Sequence, residues 1–230
     1  MPSEKEVYDS HADQYELLIL REDYLNNIPK EINKIISLEG LNIIDLGAGT
    51  GRLTRFLSDQ AQHLSACDAS IHMLVRAKEV LRTKGTSNVL LSAADMRFAP
   101  FASHSADLVI AGWSFCYLAV WGGKNWRLEV DKGLAEVRRL LKPGGVMIAL
   151  ENYGTGFETP NPPPHLNAYF EYLEQKGFSS SWFRTDYRFA SFDEALELSG
   201  FFFGEEYAAK VRENHWTILP ECTGLYWLRM

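Results

Sequence analysis

Apolar and polar positions alternate along the chain in blocks of two kinds. Leu17, Leu18, Leu20, Leu25 and Ile28 recur near helical spacing, which predicts helix through Lys34 with an interruption at Pro29. Leu41 to Leu46 is a short apolar run closed by glycines and reads as a buried strand. Arg52 to Asp59 returns to a helical pattern, with Leu53, Phe56 and Leu57 on one side. The rhythm then repeats. Leu64 to Cys67 is a strand, Ser70 to Thr83 a helix with Ser70 placed to cap it, and residues 84–87 carry turn chemistry. Asn88 to Ala93 and Ala106 to Ala111 are strands. Asn125 to Leu141 is an amphipathic helix stopped by Lys142-Pro143-Gly144-Gly145, and Val146 to Leu150 is a fifth strand. Strands alternating with helices imply a parallel sheet covered on both faces, an α/β fold.

After Glu151 the rhythm changes. Asn161-Pro162-Pro163-Pro164 is a rigid extended connector. A helix is expected over 165–177, a strand over 180–189, a helix over 192–211 despite its Phe201-Phe202-Phe203-Gly204, and a strand over 217–228. No flexible linker divides the chain. It is therefore expected to be one domain: a helical cap over 1–34, a core over 41–150, and sheet completion with an inserted lid over 151–230.

Composition narrows the function. The 230 residues are 46% hydrophobic, enough for one sizeable core, and the formal charge is −7. That balance disfavours a phosphate-gripping surface, so no nucleic-acid partner is expected. Cys67, Cys116 and Cys222 are scattered and odd in number, without Cys-x-x-Cys or a histidine cluster, which indicates neither a disulfide framework nor a metal site. No apolar run reaches the roughly 20 residues that span a bilayer, and the amino end lacks a signal core. A cytoplasmic location and no membrane span are the expectation. Oligomeric state is not legible.

Asp45-Leu46-Gly47-Ala48-Gly49-Thr50-Gly51 falls where the first strand turns into its helix. Glycines there let backbone approach a ligand closely. The dinucleotide fingerprint would place a glycine at position 52, which is Arg52, and no lysine of a P-loop follows. The pattern resembles the first motif of class I S-adenosylmethionine (SAM)-dependent methyltransferases, in the small-molecule and quinone-type branch (type 11/25-like). Asp68, Asp95-Met96 and Leu140 to Gly145 stand at matching positions. The likeness covers about residues 41–150. It implies a Rossmann-like doubly wound sheet of about seven strands, mostly parallel with the last antiparallel. It also implies SAM as cofactor, with S-adenosylhomocysteine (SAH) as product. In that family the loop (Gly47, Ala48, Gly49, Thr50, Gly51, after Asp45) wraps the amino-acid end of the cofactor. Asp68, beside Ala69 and Met73, matches the acid that holds the ribose hydroxyls, a carboxylate facing two O–H donors. Asp95, between Ala94 and Met96, matches the residue that reads the adenine amino group. Tyr8-Asp9, Ala12 and Tyr15-Glu16 resemble the N-terminal helix that closes over the cofactor, with Glu16 departing from the family's Asp.

Methyl transfer from a sulfonium is an in-line displacement that needs positioning, exclusion of water, and a base only when the acceptor arrives protonated. Gly112, Trp113 and Tyr117, after the fourth strand, fall beside the sulfonium, where aromatic faces stabilise a cation. Trp113-Ser114-Phe115-Cys116 stands where base and glutamine methyltransferases of the family carry an amide-bearing sequence, which argues against those acceptors; the resemblance to the small-molecule branch implies a small-molecule acceptor. Glu151, Tyr153 and His11 are the candidate bases, followed by His165 and Asp186. Arg184 and Arg188 are candidates to pair an acceptor carboxylate. A non-catalytic SAM-binding protein and a nicotinamide-dependent oxidoreductase are the competing readings.

Overall fold

The protein is described here by a computed structural model covering residues 10–86 and 88–230; Tyr8 and Asp9 lie outside the described residues. The strands β1 (Asn42–Leu46), β2 (His63–Asp68), β3 (Val89–Ala93), β4 (Ala106–Gly112) and β5 (Leu141–Thr155) pair in parallel. β9 (Glu221–Arg229) inserts antiparallel between β5 and β6 (Ser179–Arg184). The seven-stranded order is β3-β2-β1-β4-β5-β9-β6, and a small antiparallel ribbon joins β7 (Tyr187–Arg188) to β8 (Ile218–Leu219).

Around the sheet lie α1 (Ala12–Ile19), α2 (Asn27–Ile35), α3 (Thr54–Leu57), α4 (Ile71–Lys84), α5 (Tyr117–Val120), α6 (Trp126–Leu140), α7 (Asn167–Gln175), α8 (Phe192–Phe203) and α9 (Glu205–Asn214). The central strands are apolar on both faces because helices cover both. On one face Val109, Ala111 and Met147 pack against Val130, Leu134 and Val137 of α6. On the other, Leu108, Ile110 and Ile148 pack with Ile28 and Ile32 of α2 and Leu57 of α3. A third cluster joins Leu18 of α1 to Tyr187, Phe189, Leu198, Val211 and Leu219. Among the described residues no helix is long and apolar enough to cross a membrane.

Local chemistry explains several boundaries. Ser70 Oγ accepts the Met73 N–H at 3.3 Å, capping α4, and Gly85 ends it in the left-handed region at φ 76°. Pro29 does not break the N-terminal helix as expected; it sits in the first turn of α2, whose amides have no intrahelical acceptors. Two of those amides, of Asn27 and Ile28, donate to Asp23 at 2.8 and 2.9 Å. The interruption falls earlier, at residues 20–26, where Asp23 and Asn26 have positive φ. That bend splits the expected apolar face, leaving Leu17, Leu20 and Leu25 about half exposed while Leu18 and Ile28 are buried.

The expected strand over 180–189 is likewise two, because Asp186 turns back to hold Arg184 and the Glu221 amide. The helix expected over 192–211 breaks at Gly204, φ 91°. The phenylalanine run before it forms a seam with the amino end: Phe201 meets His11 at 5.5 Å, Phe202 meets Tyr15 at 5.4 Å and Phe203 meets Tyr187 at 5.8 Å.

Candidate functional site

The strand order reverses between β1 and β4, and a cavity of about 310 Å³ opens there at the carboxyl ends of β1, β2, β3 and β4. Ligands of open parallel sheets settle at such a switch point. Its walls bring together Tyr15, Asp45, Gly47, Ala48, Gly49, Asp68 and Ala69 with Ala94, Asp95, Met96, Gly112, Trp113 and Tyr117.

Each wall follows from local structure. Gly47 and Gly49 have φ of 73° and 55°, and the Gly47 and Ala48 amides donate to the Cys67 carbonyl at 2.8 and 3.0 Å. A Cβ on Gly47 would lie 2.4 Å from Ser114 Cβ, so only glycine lets the loop close onto the turn after β4. Asp68, at the end of β2, accepts the Gly49 amide at Oδ2 and the Ser70 amide at Oδ1, both at 2.8 Å. Each oxygen keeps a second lone pair for a ligand hydroxyl. Asp45 is buried; its Oδ2 accepts from Thr54 at 2.6 Å while Oδ1 has no hydrogen-bond partner. Burial lifts its carboxyl to about 7, partly offset by the Thr54 bond. Asp95 is held in a bidentate pair by Arg97, which also reaches Glu129. Those hydrogen bonds hold the Asp95 carboxyl below the ordinary range.

Three expected contacts lie elsewhere. Thr50 is buried and donates to Glu16 Oε2 at 2.5 Å. Glu16 also binds Arg55 at 2.8 Å, so the residue that departs from the family pattern clamps α1 to the glycine loop and sets Tyr15 over Gly49. Gly51 admits Ala77 of α4, 3.6 Å from where its Cβ would stand, and Met73 is core. Their positions serve the α4 packing beneath the loop.

The candidate bases do not line the cavity. β5 continues to Thr155 by pairing with β9, which places Glu151 and Tyr153 inside the sheet rather than at its rim. Glu151 is buried, accepting from the Cys116 amide at 3.0 Å and the Tyr169 hydroxyl at 2.8 Å, and burial lifts it to about 7. It holds the turn after β4 in place. Tyr153 packs on Phe170 and Tyr226, His11 rests on Phe201 and His165 is exposed. Asp186 pairs with Arg184 at 2.6 Å, and Arg188 lies 3.7 Å over the Tyr24 ring, so neither arginine faces the cavity.

The sequence reading missed Arg52, Ser70, Arg97 and Trp121, all of which line the cavity. Arg52 directly follows the glycine motif and Arg97 stands two residues past Asp95, so adjacency was the available signal. The Arg52 guanidinium stacks 3.2 Å over the Trp113 ring and pairs with buried Glu22. One face of Trp113 is thus already taken. Trp113 itself has φ 50°, a strained backbone of the kind that gathers at functional sites. Trp121 stacks on Tyr117 at 4.5 Å, and no sequence signal marked it.

Residues 43–145 match the methyltransferase domain family. Demethylmenaquinone methyltransferase of Parafrankia sp. is 32% identical over 149 residues, covering 58% of this chain and 53% of that protein. The ubiquinone/menaquinone biosynthesis C-methyltransferase of Teredinibacter turnerae is 30% identical, covering 63% and 57%. The chain thus spans about half the length of the curated relatives it matches. A SAM-dependent methyltransferase from Aquifex aeolicus superposes with TM-score 0.56 at 18% identity over 86% of this chain and 88% of that one. DhpI, solved with SAH, superposes with TM-score 0.60 at 18% identity over 96% and 93%. These structures share the fold. The stretch matched to the methyltransferase domain family, residues 43–145, is the one that carries the glycine loop at the switch point and its two flanking aspartates.

Proposed function

We propose that the chain binds SAM in this cavity and moves its methyl group to a small-molecule acceptor by in-line displacement. Asp68 carries the reading: one carboxylate ties the glycine loop to the start of α4 and still offers two lone pairs to vicinal hydroxyls. The unpartnered Asp45 Oδ1 suits the ammonium of the amino-acid end. Asp95 and Met96 would hold adenine, and the free face of Trp113 with Tyr117 would flank the sulfonium. SAM supplies the electrophilic methyl; the chain's part is to orient it and exclude water. We place the N-terminal helices and α8–α9 over the acceptor side as cap and lid, joined at the phenylalanine seam. Cys67, Cys116 and Cys222 are buried and form no disulfide, which fits a reducing compartment such as the cytoplasm.

Asp68→Ala is expected to weaken SAM binding by two to three orders of magnitude, since hydrogen bonds to a charged group contribute about 1.5–3 kcal/mol each. Calorimetry with SAM, SAH and NADH measures this. Binding of NADH without SAM points instead to an oxidoreductase. SAM binding with no SAH release across a broad acceptor panel points to a non-catalytic binder.

A further inference from the structure

The acid assigned to adenine does not stand alone. Asp95 follows β3 and caps the single 3₁₀ turn Met96–Phe98, its Oδ1 accepting the Arg97 amide at 2.8 Å. The Arg97 side chain folds back on the same carboxylate. Its Nε lies 2.9 Å from Oδ1 and 3.1 Å from Oδ2, and its Nη2 donates to Oδ2. The remaining arm, Nη1, donates to Glu129 in the first turn of α6, and Glu129 also accepts from Lys132 at 2.8 Å. Acid and base thus alternate from the cavity wall, where Asp95 and Arg97 lie, out to the exposed Lys132. Beside this chain of charges the Ala94 amide donates to the Asp68 carbonyl at 3.0 Å, which ties Asp95 to the strand end that carries the acid assigned to the ribose.

An aspartate at a cavity mouth has a weakly defined carboxylate plane, because the terminal torsion of its side chain is broad. The Asp95 side chain is 39% exposed, so packing alone does not fix it. The planar guanidinium does, since paired contacts from a fork admit one orientation. It also fills acceptor positions. A carboxylate has about four of them, two on each oxygen. Oδ1 gives both to the Arg97 amide and Nε, and Oδ2 gives one to Nη2. A single position is left, on Oδ2. Hydrogen bonds from Arg97 hold the carboxyl below the ordinary range, so at neutral pH that position accepts and never donates. Ion pairs this exposed add little to folding stability.

We propose that Arg97 is the positioning residue of the adenine subsite: by fixing the plane of Asp95 and filling its other acceptor positions, it makes the cavity select a 6-amino purine over a 6-oxo purine. The proposal rests on the SAM-binding reading, with adenine against Asp95. A 6-oxo purine presents a carbonyl where adenine presents N–H donors, and a locked carboxylate then sets acceptor against acceptor. A carboxylate free to rotate turns away from that carbonyl, and the penalty is lost. Arg97 acts on the base through Asp95, so its effect is on the choice between purines.

The test titrates the whole chain calorimetrically with SAH and with S-inosylhomocysteine, its 6-oxo counterpart, and records the thermal midpoint of each variant. The wild type is expected to favour SAH by at least about 100-fold, as sites built around a hydrogen bond reject analogues that cannot make it. Arg97→Met keeps the stem without the fork. It is expected to weaken SAH about tenfold and leave S-inosylhomocysteine no weaker, reducing the ratio by about tenfold. Its midpoint should fall by no more than about 4 °C. Arg97→Lys keeps the charge without the paired contacts and should fall between the two. Glu129→Gln, outside the cavity wall, loosens Nη1 alone and should reduce the ratio by about threefold. Were Arg97→Met to unfold, the ratios in these last two variants decide. An unchanged ratio in the variants overturns the proposal, as does equal weakening of both ligands, the mark of a merely structural role. A wild type that binds both ligands alike overturns it too. A wild type that binds neither SAH nor SAM removes the methyltransferase reading itself.

Discussion

Gly47→Ala is expected to remove measurable SAM binding and to lower the thermal midpoint by about 10 °C. The added Cβ would stand 2.4 Å from Ser114 Cβ and 2.6 Å from its Oγ. Neither is the far end of a flexible side chain: Ser114 is buried and its hydroxyl donates to the Leu46 carbonyl at 2.8 Å. The clash must therefore move backbone, at about 1–3 kcal/mol for overpacking. The left-handed φ of 73° adds about 1–2 kcal/mol for any L side chain. In a domain of this size each kcal/mol shifts the midpoint by about 2–4 °C. Gly40→Ala separates the two terms, because Gly40 has φ 74° with open space where its Cβ would lie. Its midpoint should fall by only a few degrees, with SAM affinity intact. A Gly47→Ala variant that binds SAM like the wild type would show that the loop does not hold the cofactor.

The second large effect concerns pH. Burial raises Glu22, Asp45 and Glu151 to about 7 and Glu221 well above its usual range, whereas the unfolded chain ionises them near 4. A raised carboxylate retains its proton in the folded state after the unfolded state has lost it. Between about pH 4 and pH 7 the folded protein thus binds more protons, and its stability falls as pH rises. After relaxation and partial pairing the summed effect is expected at about 3 kcal/mol, or about 10 °C. Asp95, Asp107, Asp131, Glu129 and Glu194 are held low by cationic partners and act oppositely, their contribution vanishing as pH falls below about 4. They are the more exposed groups and weigh less. Scanning calorimetry should find the highest midpoint near pH 5 and a decline toward pH 7.5, with SAM reducing the decline by supplying a cation to Asp45. A midpoint that is flat or rising from pH 5 to 7 contradicts the burial argument.

Much of the core was legible in the amino-acid order because its determinants are local. Periodicity of apolar residues marks β1 to β5 with α4 and α6, glycine spacing marks the loop, and serine and glycine at positions 70 and 85 mark the ends of α4. Gly47, Asp68 and Asp95 reached one cavity because parallel strands carry their carboxyl ends to one edge, which the alternation of elements already dictates. Other features were settled only in three dimensions. Whether Glu151 sits at a rim or inside a sheet depends on how far β9 extends β5, a pairing of residues about 70 apart. Arg52 could be read as a loop residue; that it covers Trp113 and neutralises Glu22 depends on the bend at 20–26 swinging a carboxylate across the molecule. That Glu221 is buried near Glu22, Arg52 and Asp186 likewise emerges only in three dimensions, because the charges around a side chain leave no periodic trace in the sequence.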